Sequence, residues 1–317
     1  MSMTSMPMTK SNAASRKCWN HYHMPHTVEE AIRWLNHYDG HARVIGGGTD
    51  LLLEIQQGQS PAMEAMVDTS RIAGLDRISR EQEYIVIGCA VTHTQIVRNA
   101  DIIRFGTCLV ESCGVIGGPQ VRNVATLAGN VAHAMPAGDG SIGLLALGAE
   151  IEVAEAGGSR WMPLQDAFLG PGKSAIDHHR ALLTRLRFRS TATGEGSAFT
   201  RVMRPQGVAL PMISMAARLQ LDDNNTITAV RISLGPAGPV PYLAESAMEL
   251  LKGGPADTPQ FDTAAEAVLA SVSLRTSKYR ATREYREAMI RTHLPLILAR
   301  AAERAQSGQA VPEGVGQ

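Results

Sequence analysis

Hydrophobic positions along this chain recur at two spacings, and the spacing predicts the elements. Val28, Ile32 and Leu35 fall on one helical face, behind Thr27 as a cap with Glu30 three residues on. Ala42-Arg43-Val44-Ile45 reads as a short buried strand that runs into Gly46-Gly47-Gly48-Thr49-Asp50, and Leu51–Gln57 then reads as a helix. Met66–Asp68 and Tyr84–Gly88 are two further strands, and Thr92–Arg98 is a capped helix. A glycine-rich stretch occupies 115–140. It is followed by an apolar helix at Ser141–Leu147, an alternating strand at Glu150–Val153 and another strand at Leu182–Phe188.

The polar, turn-rich segment 191–196 predicts a domain boundary. Beyond it, Ile213–Leu221 and Ile227–Leu234 form an antiparallel pair around the turn Asp222-Asp223-Asn224-Asn225. Ala244–Leu251 and Phe261–Val272 are helices, and Glu284–Glu303 is a long helix that Pro295 is expected to interrupt or kink. Strands with glycine turns, then an antiparallel pair with helices, predict an α+β protein of two parts rather than a βαβ alternation. The Met/Ser/Thr-rich residues 1–17 read as a disordered tail, and the polar residues 306–317 are expected to fray.

Composition narrows the class. Lys+Arg and Asp+Glu are equal at 30 each, so no net field favours nucleic acid or an acidic membrane surface. Aromatics are only 4% against 44% hydrophobic residues, so the core is built from aliphatic side chains and Met. Cys18, Cys89, Cys108 and Cys113 form no C-x-x-C pair and show no zinc or iron–sulfur spacing. They read as reduced thiols of a cytoplasmic protein. The first residues lack the apolar core of a signal peptide, and no apolar run reaches the ~20 residues of a membrane span.

Two segments carry candidate chemistry. In the first, Arg43 to Leu51, successive glycines after a strand expose backbone N–H groups that can wrap an anion, with Thr49 adding a hydroxyl; the other reading is a tight turn. It is neither a G-x-G-x-x-G nor a Walker loop. In the second, Thr126-Leu127-Ala128-Gly129-Asn130 leads to Pro136-Ala137-Gly138-Asp139. Short polar groups among small residues leave room for a flat ligand, and Asp139 can accept from a ribose hydroxyl. The alternative is an Asn–Asp network that braces a loop. His93 reads as a capping or packing residue, and His178-His179 as a solvated turn. The charged run Thr276–Arg286 reads as a solvated helix face or a subunit contact.

Taken together, the two segments resemble the FAD-binding medium subunit of the molybdenum hydroxylases, the family of the carbon monoxide dehydrogenase flavoprotein and the xanthine dehydrogenase flavin domain. The resemblance spans roughly 18–305 and includes the landmarks Leu169-Gly170-Pro171-Gly172-Lys173 and Leu274-Arg275-Thr276-Ser277-Lys278-Tyr279-Arg280. It implies a PCMH-type FAD-binding domain over 18–190, in lobes of about 18–75 and 76–190, and a smaller α+β domain over 195–305. It implies that Arg43, Val44, Ile45, Gly46, Gly47, Gly48, Thr49, Asp50 and Leu51 wrap the FAD pyrophosphate. Thr126, Gly129 and Asn130 would touch the diphosphate and flavin side, Asp139 would hold the adenosine ribose, and Ile116 and Gly117 would line a ring. Lys173 joins the binding set, and Arg201 or Arg204 would approach the isoalloxazine. The sequence departs from the family there, reading Arg201-Val202-Met203-Arg204-Pro205-Gln206-Gly207.

The resemblance further implies non-covalent FAD on this chain and no catalytic acid or base. Molybdopterin and [2Fe–2S] clusters would sit on a large and a small partner subunit, in a dimer of heterotrimers. Electrons would leave to NAD+, dioxygen, a quinone or another carrier. The alternatives are a free-standing oxidase of the vanillyl-alcohol oxidase type and a scaffold that has lost FAD.

Overall fold

The computed structural model describes residues 18–190, 193–204 and 210–314. The predicted tail at 1–17, residues 191–192 and 205–209, and the last three residues lie outside the described residues.

The first lobe holds β1 (His21–His23), α1 (Val28–His37), β2 (Ala42–Ile45), α2 (Leu51–Gln56) and β3 (Ala65–Asp68). β1 and β2 both run parallel to the central β3, whose Ala65, Met66, Val67 and Asp68 are all buried. A strand covered on both faces needs no alternation, which is why so short an apolar run suffices. Thr27 caps α1 by accepting from Glu30 N–H, as the sequence predicts.

The second lobe begins with β4 (Ile78–Glu81) and β5 (Tyr84–Gly88), followed by α3 (His93–Arg98), α4 (Ala100–Phe105), α5 (Thr107–Gly114), α6 (Pro119–Arg122), α7 (Leu127–Ala132) and α8 (Asp139–Ala146). It ends with β6 (Glu150–Glu155), β7 (Gly158–Pro163), β8 (Phe168–Gly170), β9 (Lys173–Ser174) and β10 (Leu182–Arg189). The sheet order is β4-β5-β10-β6-β7, with β10 antiparallel to both neighbours. Every residue of α5 and α8 is buried. Small residues allow this: a Cβ on Gly143 of α8 would come within 2.5 Å of Ser112 Oγ on α5.

The C-terminal part holds β11 (Glu195–Val202), β12 (Ile213–Leu221), β13 (Ile227–Gly235), β14 (Tyr242–Leu243), α9 (Glu245–Leu251), α10 (Thr258–Ser271) and α11 (Arg283–Ser307). One antiparallel sheet, β11-β12-β13-β14, carries α11 against β11 and β12. Phe199 and Ala216 of this sheet belong to the apolar core of the first two lobes, so the parts share packing.

Three details go beyond the sequence pattern. α11 continues through Pro295, which is buried within it, so the proline does not interrupt the helix. β11 begins at Glu195, at the end of the expected boundary segment, and is a strand the apolar pattern does not predict. After α11, Glu313 lies back against the second lobe: it pairs with Arg300 at 2.8 Å, and its N–H donates to Glu111 Oε1 at 2.8 Å. Among the described residues, no helix is long and apolar enough to cross a membrane.

Candidate functional site

A cavity of about 580 Å³ lies where the three parts meet, a size within the usual range for a cofactor pocket. The first lobe supplies Arg43 through Leu51 together with Glu54. The second supplies Ile116, Gly117, Thr126, Gly129, Asn130 and Asp139, and the third supplies Arg201 and Arg280.

The glycine loop explains its own composition. Gly48 has φ +69°, the left-handed region. A Cβ on Gly47 would sit 2.1 Å from the Val124 carbonyl oxygen and 2.7 Å from Ala125 Cα, so a side chain there would push the lobes apart. Among the described residues, the N–H groups of Gly47, Gly48, Thr49 and Asp50 make no hydrogen bond. Four successive unengaged donors in a cavity wall form an anion cradle.

The second motif is braced as well as open. Thr126 caps α7 by accepting from Gly129 N–H at 3.0 Å. Asn130 Oδ1 accepts from Ser141 N–H and Oγ at 3.0 and 3.1 Å, and the Asn130 amide nitrogen makes no hydrogen bond among the described residues. Each oxygen of Asp139 already accepts one bond: Oδ1 from Ser214 Oγ at 2.6 Å, and Oδ2 from Arg201 Nη1 at 2.9 Å. Burial pushes the Asp139 carboxyl up to about 6 against the pull of Arg201 and Ser214. Its hydrogen bonds are those of a brace between the domains, the alternative to a carboxylate presented freely to a ribose.

Two of the predicted contacts stand apart from the cavity. Lys173 is exposed on β9 and contributes nothing to the wall. Arg204 is exposed and donates to the Tyr279 carbonyl at 3.3 Å, whereas Arg201 lines the cavity. The other sixteen predicted residues all line it.

Several wall residues escaped the sequence. Glu54 lies one helical turn beyond Asp50 and accepts from His133 Nε2 at 2.8 Å, joining α2 to the end of α7. Burial raises the Glu54 carboxyl, and His133 and Ser60 more than offset this, so its pKa lies below the ordinary value. The expected solvated turn at His178-His179 is a seam instead. His178 Nε2–H donates to the Ala132 carbonyl at 3.0 Å, and His179 Nδ1 lies 2.7 Å from the Ala42 carbonyl. Burial, with Arg43 nearby, lowers His178 to about 4, so it is neutral near pH 7. Arg43 is itself lowered by burial and partly restored by Glu54. No sequence signal distinguishes these histidines, because their partners are backbone carbonyls distant in the chain.

The chain matches the model of the FAD binding domain in molybdopterin dehydrogenase over residues 14–188, and that of the CO dehydrogenase flavoprotein C-terminal domain over 197–310. It is 28% identical over 285 residues to the xanthine dehydrogenase FAD-binding subunit of Escherichia coli O157:H7, covering 90% of this chain and 96% of that one. It is 30% identical over 236 residues to the nicotinate dehydrogenase FAD-subunit of Eubacterium barkeri, covering 73% and 79%. A chain in the structure of carbon monoxide dehydrogenase from Hydrogenophaga pseudoflava superposes with a TM-score of 0.82 at 25% identity, covering 91% of this chain and 97% of that one. This chain therefore belongs to the FAD-binding subunits of the molybdopterin dehydrogenases, the flavoprotein components of oxidoreductases, and its cofactor is FAD.

Proposed function

We propose that this chain is the electron-transfer subunit of a heterotrimeric molybdenum hydroxylase, placed between a [2Fe–2S] partner and an external acceptor. The observation that carries the reading is the run of four unengaged N–H groups at Gly47–Asp50 in the wall of a cavity large enough for a dinucleotide. That run suits a pyrophosphate, and the Asn130 amide nitrogen adds a further donor. When bound, the flavin supplies redox chemistry, exchanging single electrons on one side and pairs on the other.

The residues of this chain bind and orient. Gly46–Asp50 hold the phosphates, and Leu51 begins the helix behind them. Ile116 and Gly117 give a flat wall against a ring, while Thr126 and Gly129 hold the α7 turn against the loop. Arg201 places a fixed cation at the domain seam, and Asp139 holds it there. Lys173 and Arg204 stay outside the binding set. The partners are a large molybdopterin subunit and a small iron–sulfur subunit, assembled as a dimer of heterotrimers in the cytoplasm. The acceptor is NAD+, dioxygen, a quinone or another carrier.

The test is a visible spectrum of the purified chain before and after acid precipitation, followed by co-purification with the two partners. Flavin released to the supernatant, with molybdenum and iron recovered in the complex, supports the reading. A chain that stays colourless after FAD is added defeats it. Flavin retained in the pellet points to a covalent oxidase instead.

A further inference from the structure

His93 lines the same cavity and is only 1% exposed, the lowest of the polar side chains in its wall. Its surroundings give the ring no task. Helix α3 is capped by Thr92 and Gln95, which form a reciprocal capping box. The His93 N–H already donates to the Ala125 carbonyl at 3.1 Å. The imidazole itself is left over. Nδ1 is buried without a partner, and Nε2 makes no hydrogen bond among the described residues. Buried polar groups almost always find partners, so a ring with none, set in a cavity wall, marks a contact that a ligand completes.

The protonation state follows from the site. Burial, then the nearby Arg122, lowers His93 to about 4, so the ring is neutral near pH 7 with one N–H and one lone pair. An orphaned lone pair is tolerated better than an orphaned N–H, so the proton belongs on Nε2 and the bare lone pair on the enclosed Nδ1. The backbone of His93 is tied to the segment the glycine loop packs on: a Cβ on Gly47 would come 2.7 Å from Ala125 Cα. Ala125, which accepts from His93, lies next to Thr126, and a Cβ on Gly46 would come 3.2 Å from Thr126 Oγ1.

We propose that His93 is a positioning residue for the dinucleotide, a neutral imidazole that donates one hydrogen bond from Nε2 to an acceptor oxygen of bound FAD. The inference rests on the FAD reading above and deepens it. The acceptor is a phosphate oxygen or an oxygen of the ribityl–flavin half, and the two differ in whether ADP also senses the residue.

The experiment titrates the full-length chain, stripped of flavin, with FAD and separately with ADP, and records thermal unfolding of each apoprotein. His93→Leu fills the space without polar atoms. Its apoprotein is expected to unfold no earlier than wild type, while its FAD dissociation constant rises about tenfold, the usual worth of one lost hydrogen bond. In His93→Gln the amide nitrogen reaches the place of Nε2, and binding is restored to within about threefold of wild type. In His93→Asn the amide reaches only the place of Nδ1, and the weak binding persists. ADP affinity falling in parallel assigns the bond to a phosphate, and ADP affinity unchanged assigns it to the ribityl–flavin half. Wild-type FAD affinity in His93→Leu overturns the proposal and leaves the FAD reading intact. Equal affinities in His93→Gln and His93→Asn overturn it too, and this contrast decides should the leucine variant fail to fold. A wild-type chain that takes up no FAD overturns the FAD reading, and this inference with it.

Discussion

Arg201 and Ser214 face each other across the β11–β12 ladder, and both donate to the carboxylate of Asp139 at the start of α8. One strand pair of the C-terminal part thus holds a buried acid of the second lobe. Arg201 Nη1 also donates to the Val115 carbonyl at 2.6 Å, beside the Ile116–Gly117 wall. The electrostatics of the cavity and the cohesion of the domains therefore share one group.

The pH dependence of stability should show it. The folded chain binds the Asp139 proton more tightly than the unfolded chain, since the pKa is about 6 against 3.8. That contribution favours the fold below pH 3.8 and is lost as pH rises through about 6. That difference corresponds to about 3 kcal/mol at the limit. Urea unfolding of Asp139→Asn between pH 4 and 6.5 should lack this component, and a slope identical to wild type would sink the assignment.

Glu111 on α5 is the second buried tie. Its Oε2 accepts from Phe199 N–H at 2.8 Å, and its Oε1 accepts from Arg304 Nη2 at 2.7 Å. Arg304 also donates to the carbonyls of Ser197 and Val311 at 2.7 and 2.6 Å. Arg304→Met should cost about 3–5 kcal/mol, because it leaves a buried carboxylate uncompensated. The double change Arg304→Met with Glu111→Gln should recover part of that loss. A single variant as stable as wild type in denaturant would show that the tie is not formed.

Gly47→Ala places a methyl group against backbone rather than a movable side chain. The expected result is a loss of about 1–3 kcal/mol of stability, together with weakened FAD retention on gel filtration. Gly157 meets nothing within 4 Å, so Gly157→Ala is the control and should change stability by less than about 0.5 kcal/mol. Equal behaviour of the two variants would refute the close approach.

Thiol reactivity should divide the cysteines. Burial pushes Cys89 and Cys108 up to about 12 and Cys113 higher still, whereas Cys18 is half-buried. At pH 8 a small alkylating reagent should modify Cys18 first and reach the other three only after denaturation. Mass spectrometry of the native digest reads the order directly, and early labelling of Cys108 would contradict the packing.

The sequence made some of this visible because the signals were local. The Thr27 and Thr92 caps, the glycine loop at 46–48 and the β12–β13 pair all depend on residues within a few positions of one another. β11 stayed hidden because Gly196, Ser197 and Ala198 carry no apolar alternation. They are small because α11 lies against them, and a Cβ on Gly196 would come 2.1 Å from the Ala301 carbonyl. Pro295 does not interrupt α11, because the burial of that helix against the sheet outweighs the local rule. The histidines at 93 and 178 take their meaning from neighbours that only the fold supplies.

The Glu111–Arg304 tie also bears on how the chain is made. The two residues are 193 positions apart, and the acid leaves the ribosome first. While translation crosses that interval, the nascent second lobe holds a carboxylate whose guanidinium has yet to be synthesised. An early fold of that lobe must keep this end of α5 open to water, a looser state than the native one. The surroundings of Glu111 therefore reach their final packing only once α11 is in place.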